Sequence, residues 1–126
     1  MEQLVEREVV EKLGSGVRFG LDTMGHWIRE HPAELLALVK DAETVLVSED
    51  EVQLLAQRDD SRTAALCLLE RGPRCVVVKA GARGAVAHSA EGPPVHCPPV
   101  PVQTVVDPTG AGDSLGGAFT AALAEG

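Results

Sequence analysis

The spacing of apolar positions changes several times along the chain, and each change marks an element. Over residues 2–13, Leu4, Val5, Val9 and Leu13 recur at helical spacing, with Glu2, Glu6, Arg7 and Glu11 on the other faces. That pattern predicts an amphipathic helix. Gly14-Ser15-Gly16 stops it, and the apolar run 17–21 fits a short strand. Pro32 stands where a first helical turn accepts proline and opens a helix over 33–40. The β-branched run 44–47 predicts a buried strand. Ser48 then starts a helix to about residue 57, and Ser61 another to about residue 70. Residues 75–79, three valines between Cys75 and Lys79, form the clearest strand. Residues 85–88 can return as its hairpin partner, because Gly81 and Gly84 permit a tight turn. The Pro- and Gly-rich stretch 89–101 predicts loop or edge strand. A last strand over 102–106 leads into an alanine-rich helix from Gly112 onward.

Strands that alternate with helices predict an α/β fold, a mainly parallel sheet with flanking helices, in one domain over residues 1–126. Ligands of such sheets bind beyond the carboxyl ends of the strands. The residues to watch are therefore Asp22, Ser48, Lys79 and Asp107.

Composition narrows the function classes. An apolar content of 44% supports a modest core. A formal charge of −8 argues against nonspecific binding to nucleic acid or an anionic membrane. It leaves ATP open, since a phosphate site needs only local donors. Phe19, Trp27 and Phe119 are too few to make a stacking platform for single strands. No apolar run is long enough to span a bilayer and no leader is evident, so the expected setting is cytoplasmic. Cys67, Cys75 and Cys97 are odd in number and lack metal-site spacing, which predicts buried free thiols. His26, His31, His88 and His96 have no partner spacing and receive no role.

The chemistry concentrates in Asp107-Pro108-Thr109-Gly110-Ala111-Gly112-Asp113, which follows a predicted strand and opens a helix. Its glycines let the backbone approach a ligand and turn N–H groups toward it. The helix N-terminus adds partial positive charge, so the turn is suited to an anion. Asp113 would repel that anion unless it had work there, such as accepting the proton of an attacking hydroxyl. The alternative is an ordinary helix cap, worth about 1 kcal/mol. A dinucleotide fold is a further alternative, since Gly110, Gly112 and Gly116 form a GxGxxxG-like pattern, but it needs an acidic residue about 20 positions on. A Walker A loop is excluded because no Gly-Lys-Ser/Thr follows.

DPTGAGDSLGGAF resembles the C-terminal signature of PfkB (ribokinase-like) kinases, matching D-x-T-G-A-G-D completely from Asp107 to Asp113. The resemblance implies that Asp113 is the catalytic base and that the backbone of Gly110, Ala111 and Gly112 is the anion hole for the transferred phosphoryl. It implies cation duty, K⁺ in many members, for Asp107 and Thr109. Three weaker segments follow the family's order. Val76 to Gly84 resembles its V-x-K-x-G-x-x-G hairpin along the nucleotide, which implies cofactor contacts for Lys79, Gly81 and Gly84; an ordinary glycine hairpin would also account for it. Leu21-Asp22-Thr23-Met24-Gly25-His26-Trp27-Ile28 resembles the D-T-M-N-x-W-I segment of one sugar-kinase branch, with Gly25 in place of asparagine. Ser48-Glu49-Asp50-Glu51 stands where the family has N-x-x-E, whose glutamate helps organise Mg²⁺. Serine replaces the asparagine, and Ser-x-x-Glu before an apolar helix is equally a capping box.

Complete kinases of this family are more than twice as long, and their N-terminal half, which supplies most acceptor contacts and a β-sheet lid, has no match here. The resemblance thus implies a partial ribokinase-like fold lacking the N-terminal half and lid. The function expected is ATP-dependent phosphoryl transfer to a hydroxyl of a sugar or nucleoside, with Mg²⁺, as an incomplete segment of the enzyme. Two alternatives stay open: a subunit that completes its site with a partner chain or a second copy, and a nonenzymatic nucleotide- or phosphate-binding module. A cut sheet leaves apolar faces and edges that favour self-association or a missing-half partner.

Overall fold

A computed structural model of the chain describes residues 18–23, 25–99 and 111–125 together with Lys12; for residues 111–114, 117, 123 and 124 it describes the backbone alone. Among the described residues five strands form one sheet in the order β1 (Gly20–Asp22), β2 (Thr44–Ser48), β3 (Cys75–Lys79), β4 (Ala85–Ser89), β5 (Gly92–Cys97). β1, β2 and β3 pair in parallel, while β3–β4 and β4–β5 are antiparallel. Of these five, four therefore point one way and β4 runs against them, the mainly parallel sheet that the alternating pattern predicts.

Between the parallel strands run the helices α1 (Gly25–Glu30), α2 (Pro32–Asp41), α3 (Glu49–Ala56) and α4 (Ser61–Leu69), and α5 (Ala111–Glu125) follows the hairpins. β2 is buried on both faces: Val45 and Val47 point to one side, Thr44 and Leu46 to the other. Such a strand belongs in the middle of a covered parallel sheet. On the first face Val45, Val47, Val76 and Val78 pack with Ile28, Leu35, Val39, Val52, Ala65 and Leu68 of α1–α4. On the second, Leu46, Val77 and Ala85 pack with Phe119 of α5. The starts of α2, α3 and α4 have local causes. Pro32 sits in the first turn of α2. The Ser48 side chain caps α3, and Asp60 Oδ2 accepts from Thr63 N at 2.9 Å to cap α4, which holds the Asp60 carboxyl below its ordinary pKa.

Several expectations shift in detail. β1 begins at Gly20, although Glu43 N still donates to Phe19 O at 2.9 Å just before it. The stretch 89–101 contains the edge strand β5, every residue of it exposed, with a register irregularity between Ala87 and Ser89 opposite the Pro93-Pro94 side of the pair. Prolines lack the N–H a ladder needs, so an edge with an irregularity is where they are tolerated. α1 has no counterpart in the sequence pattern. The predicted helix over 2–13 (Lys12 excepted) and the strand over 102–106 lie outside the described residues. Of the cysteines, which are all free, Cys67 and Cys75 are half-buried but Cys97 is exposed, because it ends the edge strand. Burial pushes the Cys75 thiol up, with Arg74 opposing.

His88 is a buried side chain of β4, paired in register with Val76. Desolvation, with a smaller contribution from the Arg62 charge, lowers its pKa from 6.5. The fold thus holds neutral imidazole, and the unfolded chain binds the proton first. Its contribution to stability is whole above pH 6.5 and is lost as pH falls through that value toward the folded pKa. Denaturation midpoints at pH 7.5 and 5.5 should drop more for the wild type than for His88→Gln. Equal drops would show that His88 is not the titrating group.

Candidate active site

The carboxyl ends of β1, β2 and β3 lie side by side, and side-chain alternation sets which residues share a face. Gly20 and Asp22 on β1, Leu46 and Ser48 on β2, Val77 and Lys79 on β3 all stand on the side covered by α5. In register, Asp22 is level with Leu46, and Ser48 with Lys79. Lys79 Nζ lies 3.2 Å from Asp22 Oδ1 and 3.4 Å from Oδ2, so the ammonium reaches across the end of β2 to the next strand but one. Strands sit about 4.8 Å apart, which makes this span a full use of the lysine stem.

α5 lies over these residues. A Cβ at Gly116 would stand 3.5 Å from Asp22 Oδ2 and 3.7 Å from Leu46 Cδ2, and one at Gly20 would stand 3.2 Å from Thr120 Oγ1. Small residues at both contacts let helix and sheet approach closely. Gly116 lies four residues, about 6 Å along the axis, beyond Gly112, so the ion pair sits about one turn past the start of α5. Ala111, Gly112 and Asp113 belong to its first turn; their side chains, and Asp107, Thr109 and Gly110 entirely, lie outside the described residues.

The β3–β4 hairpin borders the same end. Ala80 N donates to Gly84 O at 2.7 Å, and a short 3₁₀ turn over Gly81–Arg83 fills the loop. Gly81 has φ +57° and Gly84 φ +93°. Arg83 pairs with Glu49 at the start of α3, which ties the hairpin to β2's outgoing helix.

Glu51 serves the cap of α3. Its Oε1 accepts from Ser48 N at 2.8 Å while Ser48 Oγ accepts from Glu51 N at 3.2 Å. This reciprocal capping box accounts for both residue types. Glutamine at this position can keep the box, so Glu51→Gln should leave the denaturation midpoint almost unchanged, whereas Ser48→Ala should cost about 1 kcal/mol. A loss with Glu51→Gln as large as with Ser48→Ala would mean that the negative charge itself stabilises α3.

The structure therefore brings Lys79, the Gly81–Gly84 turn and the head of α5 to one end of the sheet, with Glu51 beside them at the start of α3. It adds two ion pairs, Asp22–Lys79 and Glu49–Arg83, that no local sequence signal announces. Among the described residues no group of three or more His, Cys, Asp or Glu side chains gathers as a metal site, and no helix is long and apolar enough to cross a membrane.

The model of the pfkB family carbohydrate kinases matches residues 20–126. A cytidine kinase of Thermococcus kodakarensis is 29% identical over 92 residues, which is 73% of this chain and 33% of that protein. A ribokinase of Mus musculus is 52% identical over 62 residues, 48% of this chain and 19% of that one. Among solved structures, a ribokinase II from E. coli in complex with ATP and Mg²⁺ superposes with a TM-score of 0.76 at 32% identity, covering 94% of this chain and 39% of that one. The fold is thus ribokinase-like, and the chain spans between about a fifth and two fifths of these relatives' length.

Proposed function

Because the chain belongs to the pfkB family of carbohydrate kinases, we propose that it forms the nucleotide side of a cytoplasmic enzyme transferring the γ-phosphoryl of ATP to a hydroxyl of a sugar or nucleoside. The observation that carries the proposal is the convergence of Lys79, the Gly81–Gly84 turn and the first turn of α5 at the carboxyl ends of the strands. An exposed glycine turn offers a polyphosphate close backbone approach, Lys79 offers an ammonium, and the α5 terminus offers N–H groups and a favourable dipole.

In this reading Lys79, Gly81 and Gly84 contact the nucleotide. The backbone N–H groups of Gly110, Ala111 and Gly112 donate to the oxygens of the phosphoryl in transit, where most of the catalytic work of such transfers is done. Asp113 accepts the proton of the acceptor hydroxyl. Mg²⁺ would be held mainly by nucleotide phosphates and water, with one or two carboxylates in support, and would supply charge neutralisation between the phosphates; Glu51, one of three carboxylates in the first turn of α3, uses only Oε1 in the capping box and could lend its other oxygen. Asp107 and Thr109 would hold K⁺. The relatives named as cytidine kinase and ribokinase support a nucleoside or sugar acceptor. Most acceptor contacts and the lid belong to the further length those relatives have, supplied by a longer chain, a partner or a second copy.

The test is ADP formation with Mg-ATP and K⁺ against a panel of sugars and nucleosides, by this chain alone and with a separately produced N-terminal half of a relative. ADP that depends on one acceptor class establishes the reading and names the class. Failure to bind nucleotide at millimolar concentration in both settings overturns it.

A further inference from the structure

The ion pair between Asp22 and Lys79 stands where an incoming phosphate would need the ammonium. We propose that Asp22 is a resident counter-anion, which parks Lys79 across the end of β2 in the free protein and is displaced from it by the phosphate oxygens of a bound nucleotide. The inference rests on the nucleotide reading above and adds a residue and a step to it.

Three features of the pair support displacement over a fixed structural role. Its side chains are 34% and 19% exposed, for Asp22 and Lys79 respectively, so neither charge is sealed in the core. Water that reaches a partly exposed pair screens it and weakens its hold. A phosphate group carries more charge than a carboxylate and offers more acceptor oxygens, so it competes well for one ammonium. The geometry also makes the pair an obstacle. Lys79 is level with Ser48, yet its ammonium leans over to Asp22, which is level with Leu46, and so spans the end of β2. Asp22 Oδ2 lies against Gly116 in the second turn of α5, so the carboxylate faces the helix whose first turn would meet the phosphate. The site is thus filled by the protein's own anion, which lowers the energetic cost of leaving an ammonium and a helix terminus uncompensated before nucleotide arrives. The same occupancy taxes affinity, because the pair must open first.

A double-mutant cycle on the full chain distinguishes this from general electrostatics. The probe is ADP without Mg²⁺, titrated calorimetrically onto wild type, Asp22→Asn, Lys79→Met and the double variant, with ribose 5-phosphate in parallel. Asp22→Asn should bind ADP about fivefold more tightly, close to 1 kcal/mol. Lys79→Met should bind several-fold more weakly, and adding Asp22→Asn to it should bring no further gain. Equal tightening in both backgrounds would mean that Asp22 acts only through net charge, and would overturn the proposal. So would weaker ADP binding by Asp22→Asn with its thermal midpoint unchanged, which would make Asp22 a ligand-side residue. Tightening confined to ribose 5-phosphate would assign the displaced carboxylate to the acceptor side and likewise overturn it. If none of the four proteins binds ADP, the nucleotide reading itself fails and this inference with it, an outcome plainly different from binding that ignores Asp22.

Discussion

Asp113→Asn is expected to lower acceptor-dependent ADP formation by about 10²–10⁴-fold while leaving nucleotide affinity nearly unchanged, the range that a positioned general base contributes. Asp113 lies in the first turn of α5, where a phosphate site gains from N–H groups and the helix dipole, and a carboxylate there opposes the incoming anion. Asparagine keeps the size and can still accept a hydrogen bond from the acceptor hydroxyl, but it cannot take its proton. Binding should therefore hold or improve, and turnover should collapse. If Asp113, the third residue of α5, only favours the helix N-terminus with its charge, the substitution would cost a few tenths of a kcal/mol of stability and leave turnover within a few-fold of wild type. Turnover measured at saturating ATP and acceptor, alongside ADP affinity, separates the two. Unchanged turnover would remove Asp113 as the base.

Much of the first face and of the hairpin is legible in the sequence, because local physics and tertiary context agree there. Three valines between Cys75 and Lys79 become the doubly covered strand β3. Ser48 and Asp60 stand at the caps of α3 and α4, where a hydroxyl or carboxylate satisfies a free N–H. α1 escapes the same reading. It is six residues long, opens on glycine, buries Ile28 alone, and forms by docking on its neighbours more than by propensity. At the site, Asp22 and Lys79 are each visible as strand-end positions. Their contact is not, because the two residues are 57 apart in sequence. It exists only once the order β1–β2–β3 is known and alternation has put both side chains on the α5 face. For Glu51 the sequence leaves a cap and a metal role side by side. The structure shows the cap, and since only one carboxylate oxygen accepts the Ser48 N–H, metal support by the same group is compatible with it.

The two glycines of the β3–β4 turn look alike in sequence but should behave differently on substitution. Gly81→Ala should cost about 1 kcal/mol. Its φ of +57° is the left-handed helical region, disfavoured by about that much for alanine, and an added Cβ meets nothing within 4 Å. Gly84→Ala should cost about 3 kcal/mol or more. Its φ of +93° and ψ of −142° fall near a region that is nearly glycine's alone. In addition, an added Cβ would collide with the Cys97 carbonyl, with Pro99 N only 3.0 Å and Pro98 C 3.1 Å away. Those are backbone atoms at the end of β5, so relief means moving the edge strand and not turning a side chain. The cost also reaches the site. Ala80 N donates to Gly84 O, and that bond closes the turn directly after Lys79. Loosening it frees the residue whose ammonium spans to Asp22. Chemical denaturation of both variants beside wild type gives the first comparison, and ADP affinity of whichever variants remain folded gives the second. Equal costs for the two substitutions would mean that β5 yields at its end and that Gly84 is needed only for its dihedral angles. A large cost at Gly84, with weakened ADP binding in the surviving folded fraction, would tie the close approach of the β3–β4 turn to β5 directly to the nucleotide side of the site.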